Sequence, residues 1–288
     1  MKIGELYRSG ETVLSLEVFP PQADYPLDSL LNILEHLVDL QPSFISVTYG
    51  AGGANRGRTV EIAARIRRDY GVESLAHLTC VGHCRADIDT ILTEMAAHGI
   101  DNILALRGDP PTDQPDFDFY DGDYHHAIDL IREVREKGDF GVAGAAYPEG
   151  HVDCLSLSED LRFLREKVDA GLDLLITQIY FDNRVFYDFL ERCERIGITI
   201  PVAAGIMPVL QARQIRRMLY MSGASIPAKL LKIIDRYEHD PVGMEAAGID
   251  YASRQIEELL ERKVDGIHLY SMNKWRQSQE ILRNAGMR

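Results

Sequence analysis

The sequence predicts an α/β fold: a (β/α)8 TIM barrel with extra helices in the connection between strands 7 and 8, forming one catalytic domain over residues 1–288. Three observations predict it. Short apolar runs rich in Val, Ile, Leu and aromatics recur at intervals of about thirty residues, the length of a strand–helix–strand unit. The segments between them carry helical periodicity. A chain of 288 residues is long for one sandwich or bundle and ordinary for one barrel.

The first run is Val13–Phe19, closed by Pro20-Pro21. Leu27–Leu40 then places Leu30, Leu31, Leu34, Leu37 and Val38 on one stripe, as an amphipathic helix requires. Strand Phe44–Tyr49 leads through a glycine-rich stretch into Thr59–Tyr70, where Val60, Ala63, Ala64 and Ile66 face away from Arg65, Arg67 and Arg68. Ser74–Cys80 pairs with helix Ala86–His98, and Asn102–Arg107 with Tyr124–Lys137. Val142–Tyr147 precedes Ser158–Ala170, which Ser158-Glu159-Asp160 opens. Leu174–Phe181 precedes Arg184–Ile196, and Pro201–Met207 is the seventh strand. Gly99, Gly138, Gly171 and Gly197 stand where helices stop. Residues 208–263 hold helix Gln211–Ser222, a Pro227-led helix and a longer one ending near Arg262, before the eighth strand, Gly266–Ser271. Strand–helix alternation of this kind means parallel strands with crossover helices, and closure into a barrel satisfies their edges.

Composition narrows the function. Hydrophobic residues at 45% and charged residues at 26% are near the globular average, which argues against long disorder. Lys+Arg 31 against Asp+Glu 45 gives a net charge of −14, so no nucleic acid and no anionic membrane surface is expected as a partner. A small anionic ligand needs only a few local cations. The N-terminal segment lacks the apolar run of a signal peptide, and no stretch is apolar enough to span a membrane. Cys80, Cys84, Cys154 and Cys193 read as reduced thiols of a cytoplasmic protein. Cys80 and Cys84 have no second Cys/His pair at zinc spacing, so no metal is expected and they read as small apolar fillers.

In a barrel enzyme the chemistry sits at the C-terminal ends of the strands. Glu17, Thr48, His77, Arg107 with Asp109, Tyr147, Gln178 and Lys274 all stand at that end. Alternation turns Leu16 and Val18 toward the helices and Glu17 into the mouth. A carboxyl in a partly dry pocket is expected to have a raised pKa, as suits a general acid; a strand-end Glu paired with a cation is the plainer alternative. The stretch from Gly50 to Gly57 lacks both the dinucleotide fingerprint and the phosphate-loop Lys-Ser/Thr, and reads as a close-approach loop or a plain one. Arg107 can neutralise a phosphate, and Asp109 either places charge at the mouth or caps a turn. Tyr147 offers an aromatic face, and His151 a bond to phosphate or ribose. Asp160 and Lys167, two helical turns apart with Leu164 between them, suit ribose and pyrophosphate or a solvated face. The amide of Gln178 can read a heterocycle edge.

These residues stand in longer motifs. Leu16-Glu17-Val18-Phe19-Pro20-Pro21, Ser46-Val47-Thr48-Tyr49-Gly50-Ala51-Gly52-Gly53, His77-Leu78-Thr79-Cys80, Ala105-Leu106-Arg107-Gly108-Asp109, Ala146-Tyr147-Pro148-Glu149, Lys167-Val168-Asp169-Ala170-Gly171 and Thr177-Gln178 resemble the methylenetetrahydrofolate reductase family across essentially the whole chain. The resemblance implies FAD across the barrel mouth, reduced by NADH or NADPH. Methylenetetrahydrofolate then replaces the nicotinamide and is reduced to methyltetrahydrofolate in a ping-pong cycle, within the one-carbon metabolism that feeds methionine synthesis.

By the same resemblance, Glu17 is the general acid that opens the folate's five-membered ring, and Asp109 the acidic residue near flavin and pterin. Thr48 contacts the nicotinamide cofactor. Tyr49, Ala51, His77, Arg107, Gly108, Ala127, Tyr147, His151, Asp160 and Lys167 fall at FAD positions, and Gln178 and Gln214 at folate positions. Lys274 stands where some relatives have Arg near the folate's glutamate tail; it keeps the charge and loses the fork. His126, Cys154, Phe163, Glu166 and Met218 depart from the family pattern. A homo-oligomer is implied. Because the chain ends at Arg288, no adenosylmethionine inhibition is expected. The main alternative is a flavin-binding electron-relay subunit reduced by a partner protein, which Met218 and His126 keep open; a barrel of unrelated chemistry is the third reading.

Overall fold

The computed structural model describes residues 1–21, 26–49, 56–109, 117–118 and 121–287. Eight parallel strands close into a barrel in sequence order: β1 (Val13–Val18), β2 (Phe44–Val47), β3 (Glu73–Thr79), β4 (Asn102–Leu106), β5 (Gly141–Ala146), β6 (Leu174–Thr177), β7 (Val202–Ile206) and β8 (Gly266–Tyr270). Each expected strand is present, trimmed at its C-terminal end, where the chain leaves the ladder to form the mouth.

Helices α1 (Asp28–Val38), α2 (Arg56–Tyr70), α3 (Arg85–Ala97), α4 (Ala127–Lys137), α5 (Leu157–Asp169) and α6 (Asn183–Arg195) cross between strands. Between β7 and β8 run α7 (Ile215–Ser222), α8 (Ala228–Tyr237) and α9 (Pro241–Glu261), as the sequence predicts, and α10 (Trp275–Asn284) follows β8. Apolar periodicity drives the packing. Leu14, Leu16 and Val18 of β1 turn outward into the shell that also holds Leu30, Leu34 and Leu37 of α1. Val13, Phe44, Leu75, Leu104, Ala143, Leu174 and Ala203 turn inward and fill the lower barrel as a packed layer.

A 3₁₀ turn (Ile3–Tyr7), unforeseen in the sequence, plugs the bottom. Ile3 joins the inner cluster, and its N–H donates to Asn102 Oδ1 at 2.7 Å. Cys80 is buried as expected, whereas Cys84, at the start of α3, is exposed because it lies beyond the end of the strand, so it is not an apolar filler.

Candidate active site

The alternation that buries Leu16 and Val18 outside the barrel turns Ser15 and Glu17 into it. Glu17 pairs in register with Ser46 on β2 and Tyr270 on β8, and is only 6% exposed. Its Oε2 accepts a bond from Ser46 Oγ at 3.4 Å and lies 3.4 Å from His77 Nε2 and 3.6 Å from His268 Nε2. Both imidazoles are buried, His268 completely.

The expectation of a raised Glu17 pKa is corrected by this arrangement. Burial does push the carboxyl up, but hydrogen bonds and charge from His268 and His77 outweigh it and lower the pKa to about 2. In the free site Glu17 is a carboxylate held between two rings.

Beneath it, Ser15 Oγ lies 2.8 Å from His268 Nδ1 and donates to the Ile267 carbonyl at 3.2 Å. One hydroxyl proton cannot serve both neighbours. With that proton on the carbonyl, Nδ1 becomes the donor to Ser15, and Nε2 is the ring nitrogen that faces Glu17. His268 was missed in the sequence, although the same alternation in Gly266-Ile267-His268-Leu269-Tyr270 points it inward. Above it, Tyr270 donates to the Thr177 carbonyl at 2.8 Å. It crosses the mouth because β7 offers Gly205 there, where a Cβ would meet Thr177 O at 2.2 Å and the Tyr270 ring at 3.0 Å.

Glu17 opens onto a cavity of about 860 Å³ lined also by His77, Arg107, Gly108, Asp109, Tyr147, His151, Gln178 and Gln214. A second lobe of about 670 Å³ shares Arg107, Tyr147 and His151 and continues over Ala127, Asp160 and Lys167. Eleven of the sequence-predicted residues beyond Glu17 therefore meet around one extended cleft. Gly108 makes the junction possible: its φ is +91°, and a Cβ there would lie 2.6 Å from Val81 and 2.8 Å from Thr79.

In the second lobe Lys167 Nζ donates to the Ala145 carbonyl at 2.8 Å. Burial lowers its pKa to about 8, with Asp160 opposing. Arg107 pairs with Asp153 at 3.1 Å. The His151 ring packs edge-on against Tyr147 with centroids 4.6 Å apart, and burial lowers its pKa against the pull of Asp153. Burial, then Asp160, pushes the Tyr147 phenol up to about 12, so it stays a neutral donor. The lobe fits a flavin dinucleotide in size and donor set: Arg107, Lys167 and His151 can face a pyrophosphate, and Asp160 can accept from a ribose hydroxyl.

Other expectations fall elsewhere. Thr48 and Tyr49 do not line either cavity: the Thr48 carbonyl accepts from Thr59, and the Tyr49 side chain is buried in the outer shell against His83. Ala51, with most of the glycine-rich stretch, lies outside the described residues. Lys274 is exposed and outside the cavity lining, one turn of chain beyond Met272, which does line it. Among the departures, Met218 lines the mouth, and His126, Cys154, Phe163 and Glu166 line the second lobe. Among the described residues, no group of three or more His, Cys, Asp or Glu is placed to hold a metal, and no helix is long and apolar enough to cross a membrane.

A family model described as methylenetetrahydrofolate reductase matches residues 2–286. The chain belongs to the methylenetetrahydrofolate reductase family. Within that family, a probable methylenetetrahydrofolate reductase (NADH) of Oryza sativa is 37% identical over 297 residues, covering 99% of this chain and 50% of the relative. The chain thus spans about half the length of the plant relatives it matches. The 5,10-methylenetetrahydrofolate reductase of Escherichia coli K12 is 34% identical over 279 residues, covering 97% of this chain and 92% of that one. Among solved structures, an uncharacterized protein from Clostridium thermocellum that binds two copies of 5-methyl-5,6,7,8-tetrahydrofolic acid aligns with a TM-score of 0.64, covering 98% of this chain and 96% of that one. At 14% identity that likeness is one of fold.

Proposed function

We propose that the protein reduces 5,10-methylenetetrahydrofolate to 5-methyltetrahydrofolate with NAD(P)H, through FAD and in two half-reactions at one site. One observation carries the reading: a buried carboxylate between two imidazoles, at the edge of a cleft whose second lobe suits a dinucleotide. Family membership supplies the substrate class. Relatives named for NADH favour that reductant.

When bound, FAD supplies a two-electron store that takes a hydride from the nicotinamide and returns it to the folate carbon. The chain's own residues do the rest. Arg107, Lys167 and His151 hold the pyrophosphate, Asp160 the ribose, and Ala127 and Gly108 let the backbone approach. Gln178 and Gln214 orient the folate, Asp109 adds negative charge at the mouth, and Lys274 faces the glutamate tail outside the cleft. Glu17 donates a proton to the folate nitrogen as its five-membered ring opens. Since the free carboxyl is ionised, that proton reaches it from the imidazole side, where His268 and His77 stand within 3.6 Å of Oε2. A homo-oligomer working in the cytoplasm and supplying methionine synthesis completes the reading.

Met218 at the mouth favours one rival, a flavin-binding relay subunit reduced by a partner protein. Anaerobic mixing separates the two. Bleaching of the flavin by NADH and its reoxidation by methylenetetrahydrofolate support the reductase. A flavoprotein that neither NADH nor NADPH bleaches supports the relay, and a protein that takes up no flavin contradicts both.

A further inference from the structure

The ladder between β1 and β8 ends at the pair Glu17 and Tyr270. Beyond it the two chains diverge, and the backbone of Phe19 has no ladder partner on β8. Side chains take over at that point. Ser271 Oγ donates to the Glu17 carbonyl at 2.5 Å. The Phe19 N–H donates to Asn273 Oδ1 at 3.0 Å, and Asn273 Nδ2 donates back to the Phe19 carbonyl at 2.8 Å. The Asn273 N–H in turn donates to Ser271 Oγ at 3.2 Å, so the two side chains act as one unit.

The unit is held in a strained turn. Met272 and Asn273 have φ of 51° and 56°, consecutive positive values in a region that disfavours side chains with a Cβ, Met272 above all. Such strain persists where surrounding contacts over-determine it, and it concentrates at functional sites. Here the three bonds to β1 are those contacts, and they fasten the stretch from Glu17 to Phe19. Met272, between the two clamping residues, lines the mouth.

We propose that Ser271 and Asn273 are positioning residues for proton donation by Glu17: together they fix the last residues of β1 so that the carboxyl stays between His77 and His268 while facing the mouth. This rests on the reading of Glu17 as proton donor. Neither side chain touches the cleft, so both act through the strand.

Asn273→Gly removes both side-chain bonds and keeps the left-handed backbone free of strain, so it separates bonding from strain. Ser271→Ala removes the third bond, and Ser271→Thr restores a hydroxyl. The half-reactions of the wild-type protein are measured first; failure to reduce folate there overturns the parent reading, and the clamp with it, before any substitution is made. For Asn273→Gly and Ser271→Ala we expect flavin reduction by NADH within about twofold of wild type. Folate reduction falls about ten- to a hundredfold, the cost of a misplacement of about 1 Å, and its pH profile shifts. Ser271→Thr recovers most of the rate. In the protein without ligands, amide exchange across residues 13–19 speeds up in both variants. Faster exchange with an unchanged folate half-reaction and pH profile makes the fastening structural only, and equal losses in both half-reactions make it a general disturbance; either result overturns the proposal.

Discussion

The Nε2 of His268 lies 3.6 Å from Oε2 of Glu17, from a position level with Ser15, one inward-facing residue deeper in the barrel. The proposed proton donor is thus backed by an imidazole that solvent does not reach. Replacing His268 with Asn keeps a polar side chain but removes the ring that can carry the proton. We expect the folate half-reaction to slow about a hundredfold, with flavin reduction by NADH changed less than threefold, in rapid-mixing measurements.

The contact of Glu17 with the two imidazoles also sets a pH signature. Its pKa is depressed from 4.5 to about 2 in the folded protein. Its contribution to stability is therefore fully present above about pH 4.5 and is lost as pH falls toward about 2. Urea denaturation of wild type and Glu17→Gln should show the wild type losing ground between about pH 5 and pH 3. A carboxyl with a raised pKa would give the opposite sign, the wild type gaining on the variant as pH falls.

Lys167 provides a second titration. Burial depresses its pKa from 10.5 to about 8, and a bound phosphate would pull it back up. Binding of FAD then takes up a proton above that value. Its affinity should fall as pH rises from about 7.5 to 9.5, by at most tenfold per pH unit. Lys167→Gln should bind FAD about tenfold or more weakly and lose the pH dependence, as fluorescence titration will show.

Gly108 tests the packing of the junction. An Ala there combines φ +91° with a Cβ 2.6 Å from Val81. We expect Gly108→Ala to cost about 2 kcal/mol or more in urea denaturation and to reduce flavin occupancy, because Arg107 and Asp109 move with it.

How much of this was legible beforehand follows from what sets each feature. Apolar period and glycine stops are local, so the barrel, its strand order and the three helices before β8 could be read from the chain. Alternation placed Glu17 correctly, but its charge state depends on His77 and His268, which come from β3 and β8, sixty and more than two hundred and fifty residues away. Burial alone points the pKa upward, and the pairing that reverses it comes from imidazoles across the barrel rather than from the Arg or Lys partner of the plainer reading, so the predicted direction was wrong. The clamp at Ser271 and Asn273 was invisible for the same reason: it joins residues 254 apart, and its signal is a backbone conformation rather than a residue pattern. Tyr49 illustrates the converse. Its place in a motif suggested the cleft, whereas its ring satisfies the outer core.

The most direct test of the whole account is the pair of half-reactions in Glu17→Gln, followed anaerobically by flavin absorbance. Gln keeps the size of the side chain and cannot deliver the proton. Flavin reduction by NADH is expected to stay within about twofold of wild type and folate reduction to fall by about a thousandfold or more. A variant that still reoxidises with methylenetetrahydrofolate at the wild-type rate would show that the proton comes from elsewhere.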